Sequence, residues 1–233
     1  MSHTGRAFLM LSTLIVLCLG SAVAARADSV IYESAILGPT GQGSCCLNGP
    51  VIVYDQFVGS RFHVSVPTQV TQVGGHLVSY TSGQYPPAGS IFGAIVRLSG
   101  EGALPTGNPF DNSVVAVTLF NPGYPSSDFL IPLSADLAPG DYALIFGTGQ
   151  FGSPRSSHGG VLLTNNTALP GASFIVWNGT GWVNGRFNNA RFVVRGNAGV
   201  DAIPEPTTFV MIATGLVGVG AALRRRRKFS KEN

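Results

Sequence analysis

Between Asp28 and Ile203 the sequence contains no lysine. Six arginines there stand against nine carboxylates, a net charge of −3, so the +3 of the whole chain comes from its ends. Scattered arginines on an acidic background exclude the basic stripe that nucleic-acid binding needs. Cysteine is nearly absent, with only Cys18, Cys45 and Cys46 in the chain. Two cysteines without a nearby histidine make a poor zinc site. Neither H-E-x-x-H nor G-x-S-x-G occurs, which removes two well-marked routes to hydrolysis. The body of the chain also lacks any sustained helical period and any internal repeat.

Short apolar runs with a period of two are abundant instead. Tyr142, Leu144 and Phe146 oppose Ala143 and Ile145. Ala94, Val96 and Leu98 oppose Ile95 and Arg97. Val115, Val117 and Leu119 oppose Ala116, Thr118 and Phe120. Phe129 and Ile131 share a face, and Phe192 and Val194 oppose Val193 and Arg195. Alternation over four to eight residues, rich in β-branched and aromatic side chains, marks half-buried strands. Gly (31) and Pro (15) make up about a fifth of the chain and punctuate these runs, while 45% hydrophobic content is too rich for disorder. Pro139-Gly140-Asp141 predicts a type II turn, with Gly140 taking the positive φ. About eight to ten strands and no helix predict an all-β body, an antiparallel β-sandwich of jelly-roll type spanning 28–200.

The ends read differently. His3 and Arg6 precede an apolar stretch, Ala7 to Leu19, and then two small-residue exits, Ala22-Val23-Ala24 and Ala25-Arg26-Ala27. This is the layout of a signal peptide over 1–27, handled by the Sec translocon and signal peptidase. Leu17 before Cys18 is too large for a lipobox. At the other end, residues 201–206 form a linker holding Pro204-Glu205-Pro206. Residues 207–223 carry no charge, and Arg224-Arg225-Arg226-Arg227-Lys228 opens a basic tail, 224–233. Seventeen residues at about 1.5 Å each reach about 25 Å, enough for a single transmembrane helix in a thin bilayer. Five consecutive cations resist translocation and fix the cytoplasmic side, so the β-rich body lies outside the cytoplasm.

The order of PEP, apolar helix and arginine cluster in the last thirty residues resembles the PEP-CTERM sorting signal of Gram-negative bacteria. The resemblance implies recognition by exosortase, a membrane-embedded cysteine transpeptidase, with cleavage near the PEP. It also implies a host that makes exopolysaccharide. The chain would be held in the inner membrane before sorting, and then reach the cell surface or the exterior. The body is similar to exported β-sandwich modules called choice-of-anchor domains. That likeness rests on Gln56 to Val66, Val70 to Leu77, Ile91 to Leu98, Leu133 to Phe146 with its Ala138-Pro139-Gly140-Asp141-Tyr142 turn, and Trp177 followed by Ala190 to Gly196. It implies fold and location only. Leu104-Pro105-Thr106-Gly107 resembles a sortase motif but lacks the spacer residue, sits mid-chain and reads as a turn.

Few residues are candidates for chemistry. Cys45 and Cys46, in an oxidising compartment, can form a strained vicinal disulfide, bridge to another molecule, or stay as thiols. His63 and His76 fall in or beside strands, where structural roles are the norm, and His158 is the third histidine of the mature chain. Asp136 and Asp141 flank one turn and could help hold calcium, though a calcium loop needs more oxygen ligands than the sequence assigns. Trp177 and Trp182, five apart around Asn178-Gly179-Thr180-Gly181, either pack across a hairpin or present one indole to a sugar. The chain is therefore expected to be a structural or adhesive surface protein, with no catalytic residue, cofactor or metal. A carbohydrate-binding module using Trp177, Trp182 and loop tyrosines such as Tyr85 or Tyr124 is the alternative, and a hydrolase with an unrecognised site the third reading.

Overall fold

The computed structural model describes residues 28–42, 49–80, 89–156 and 159–199. Fourteen strands run through them: β1 Ser29–Glu33, β2 Ala35–Ile36, β3 Val51–Ile52, β4 Phe57–Val64, β5 Thr68–Val78, β6 Ile91–Arg97, β7 Val114–Phe120, β8 Ser127–Leu137, β9 Gly140–Gly147, β10 Gly160–Leu162, β11 Thr167–Ala168, β12 Ile175–Trp177, β13 Trp182–Asn184 and β14 Phe192–Ala198. Among the described residues there is no helix. The count exceeds the expected eight to ten because several pairings involve only two or three residues.

Two six-stranded antiparallel sheets form the sandwich. In the first, β5 is the hub. It pairs with β8 along one edge, and with β14 and then β10 along the other, while β1 and β3 extend the sheet. Its neighbours crowd in: a β-carbon at Gly74 would lie 1.7 Å from the Phe129 carbonyl oxygen, and one at Gly75 would lie 2.2 Å from that of Arg191. Only glycine allows two strands to approach the hub so closely. The second sheet runs β13-β12-β4-β9-β6-β7.

The alternation decides which face each side chain takes. Tyr142, Leu144 and Phe146 of β9 enter the main core with Val58, Phe62 and Val64 of β4. Ala143 and Ile145 join a second cluster on the opposite face. Aromatic rings tie the sheets together: Phe146 of one stacks on Phe192 of the other at 5.5 Å, and Tyr32 stacks on Phe62, which stacks on Tyr142. Such pairs add about 0.5–1.5 kcal/mol each beyond their burial. The buried Tyr142 satisfies its hydroxyl on the Ala138 carbonyl, 2.8 Å away.

Two expectations need correction. Strands β6 and β9 are buried on both faces, not half-buried, because the connection after β6 folds over the outer face and packs Ala103, Leu104 and Phe110 on it. Gly140 has φ 152°, not the roughly 80° of a type II turn, because it already begins β9, opposite Val64.

Candidate functional site

Four connections meet at one end of the second sheet. The β3–β4 link is a two-residue turn, Tyr54-Asp55, closed by Val53 and Gln56, each donating its N–H to the other's carbonyl at 3.3 Å. After β9, Gly149 (φ 81°) turns the chain, and its N–H donates to Pro154 O at 3.1 Å. The backbone of Tyr54 is anchored across this gap by donation to Ser156 O at 2.9 Å. The β6–β7 connection brings Asn108 and Pro109, and the β12–β13 hairpin brings Gly179 (φ 89°). Together these loops enclose an open pocket of about 270 Å³ over Phe57 and Trp177.

Aromatic and polar groups share this lining. Arg155 lies over the ring of Tyr54, 4.2 Å from its centroid. Asp55, Asn108, Gln150 and Arg155 line the same pocket. None of these four side chains has a hydrogen-bond or ion-pair partner among the described residues. Phe151 is held in the left-handed region (φ 53°) with its ring against Phe92 and Phe110. That backbone geometry costs on the order of 1 kcal/mol for a non-glycine residue, offset here by the ring packing.

Trp177 and Trp182 face each other across the β12–β13 ladder, with ring centroids 5.9 Å apart. Asn178 closes the hairpin tip by accepting N–H bonds from Thr180 and Gly181 at 3.1 and 3.0 Å. Both indoles are buried, at 5% and 9% exposure. Of the two arrangements expected from the sequence, packing across the hairpin is the one found, and neither indole is presented to solvent: Trp182 packs against Phe57 and Phe110. Only Trp177 reaches the pocket wall. Tyr124 is exposed but does not line it.

His76 belongs to a buried network. Asn165 Oδ1 accepts the Gly38 N–H at 2.7 Å, while its Nδ2 donates to Leu163 O at 3.0 Å. His76 Nδ1, 3.0 Å from that Oδ1, must therefore donate to it. His76 Nε2 lies 3.2 Å from the Ser126 hydroxyl, the ring's second hydrogen-bond partner. Ser126 Oγ in turn accepts the Gln42 N–H at 3.0 Å. Beside it, Arg191 makes a two-pronged contact with Asp128 (3.0 and 3.1 Å) and reaches Glu33 at 2.7 Å. Burial pulls the Arg191 pKa down, but the bonds to Asp128 and Glu33 outweigh it and leave the pKa raised. His63 bonds Asp141 at 2.9 Å on the surface, and Asp136 is exposed. Among the described residues no group of three metal-ligating side chains forms.

Sequence reasoning missed Tyr54, Asp55, Asn108, Gln150 and Arg155. They come from three separate loops, so no spacing links them; the turn chemistry of Gly149 and Pro154 was the one local signal. Cys45, Cys46, Tyr85, His158, the leader, Pro204-Glu205-Pro206, the 207–223 span and the Arg224–Lys228 cations lie outside the described residues. Among the described residues no helix is long and apolar enough to cross a membrane.

Comparison with protein-family models matches residues 202–227 to the PEP-CTERM protein-sorting motif. Comparison with curated proteins gives no match. The motif supports export and handling by exosortase through a membrane-anchored C-terminal signal.

Proposed function

We propose that this chain is a non-catalytic structural or adhesive component of the cell surface or of an extracellular polysaccharide matrix. The sorting motif at 202–227 carries that reading. A sorting signal invests the protein with a destination outside the cytoplasm, where the β-sandwich meets the matrix. The architecture supports a durable scaffold, with two antiparallel sheets stapled by stacked rings and a buried polar network. The pocket lining contains one carboxylate, Asp55, and no histidine, a poor endowment for general acid–base chemistry. In this reading the signal peptide is removed by signal peptidase, the 207–223 helix holds the chain in the inner membrane, and exosortase releases the body toward the surface.

Fractionation with intact-mass measurement of the native protein tests this. A matrix or surface fraction lacking both the leader and the residues after the PEP is the expected result. An uncut leader in the cytosol, or an intact tail retained in the inner membrane, overturns it.

A further inference from the structure

We propose that the pocket bounded by Tyr54, Asp55, Asn108, Gln150 and Arg155 binds a single carboxylate-bearing sugar, a uronic acid residue. The pocket carries this independently of the sorting tail. Its volume, about 270 Å³, falls just below the range of drug-sized sites and suits one pyranose ring.

The lining selects the ligand by charge and hydrogen bonding. Arg155 is exposed, steadied over Tyr54, and paired with no carboxylate among the described residues. A planar guanidinium so placed matches the two oxygens of a carboxylate. Asp55 shares the pocket and offsets that charge, which works against a phosphate of about two negative charges. The same Asp55 accepts bonds from hydroxyls, and the Asn108 and Gln150 amides both donate and accept. A uronic acid presents one carboxylate ringed by hydroxyls, the complement of this set. Tyr54, exposed at the rim, adds aromatic surface for the C–H groups of the ring. The closed Tyr54-Asp55 turn and the Gly149–Pro154 bond preset the loops, so little ordering is lost on binding.

Ligand-observed NMR titration of the full-length protein in detergent micelles tests the assignment. Three probes are compared: D-glucuronate, D-glucose and N-acetyl-glycyl-glycine. D-glucuronate is expected to bind more tightly than both others. Arg155→Gln should weaken it about tenfold, the loss of one charge-assisted contact, and Tyr54→Ala should weaken both sugars. Arg186→Gln, an exposed arginine outside the pocket lining, should change nothing. Arg155 lies at the surface, so its loss leaves the core intact; a thermal melt matching wild type verifies this. Absence of D-glucuronate binding, or equal binding by wild type and Arg155→Gln, overturns the assignment. N-acetyl-glycyl-glycine binding as tightly as D-glucuronate also overturns it, in favour of a peptide carboxylate.

Discussion

The indole of Trp182 donates its Nε1–H to the carbonyl of Pro109 across 2.8 Å. These two residues are 73 positions apart in sequence, and their bond ties the β12–β13 hairpin to the connection that covers the outer face of the second sheet. Phe110, next to Pro109, packs on Trp182, Phe57 and Phe92. The cover is therefore held by one directional bond inside an aromatic cluster. Since Pro109 and Trp177 also line the pocket, the cover and the pocket share a wall.

Replacing Trp182 separates the two contributions. Trp182→Phe keeps most of the packing but strips the Pro109 carbonyl of its donor, at an expected cost of about 1 kcal/mol. Trp182→Ala also opens a cavity, at an expected cost of about 3–5 kcal/mol. Urea unfolding followed by circular dichroism distinguishes them. Equal losses for both variants would mean that the hydrogen bond, not the ring, holds the cover.

Arg191 is 6% exposed and joins β14 to Asp128 of β8 and Glu33 of β1. Arg191→Met strands two carboxylates that are only partly solvated, and is expected to cost about 3 kcal/mol. Arg191→Lys should recover little, because an ammonium cannot span both Asp128 oxygens as the guanidinium does. Thermal denaturation of both variants checks this; a lysine variant melting with wild type would refute the two-pronged account.

Much of this fold was legible because β9, β6 and β14 alternate strictly, and Tyr142, Ala143 and Leu144 go where a period of two sends them. The hub strand hid its geometry. Val70 and Val73 are three apart, yet both are buried in the main core, since a register shift between Val70 and Gln72 resets the phase. A bulge depends on the partner strands, which local alternation does not encode. Burial of the second face of β6 was equally hidden, because it depends on where Leu104 and Phe110 land. The pocket was illegible for a related reason. Tyr54 and Arg155 are about a hundred residues apart in sequence, and only sheet topology brings them together.

Ser126, His76 and Asn165 stand in the order of a nucleophile, a base and an orienting amide. All three are buried, at 2%, 1% and 4% exposure, and the Ser126 hydroxyl oxygen already accepts the Gln42 N–H. The arrangement ties the 38–42 segment to β5, a structural task. Ser126→Ala should then cost about 1–3 kcal/mol, the desolvation of a buried group left without its partner. A fluorophosphonate probe should leave Ser126 unlabelled under native conditions. Labelling that His76→Ala abolishes would instead reveal an accessible nucleophile and revive the hydrolase reading.

Asp111 supplies the pH dependence of the outer cover. Its pKa is lowered to about 2, with the Ser113 side chain the largest influence, followed by the Thr106 hydroxyl and the Ser113 N–H. Of these, the Thr106 hydroxyl and the Ser113 N–H hydrogen-bond the carboxylate, at 2.5 and 2.8 Å, and brace the connection that carries Pro109 and Phe110. A carboxyl whose folded pKa lies below its unfolded value near 4 adds stability that is full above about pH 4 and disappears as pH falls toward 2. Asp111→Asn removes that contribution at every pH. The melting temperature of wild type should exceed that of the variant at pH 6, and the gap should close between about pH 4 and pH 2. Contributions from every other group are common to both proteins and cancel in the difference. A gap that stays constant down to pH 2 would show that the Asp111 contacts do not depend on its charge.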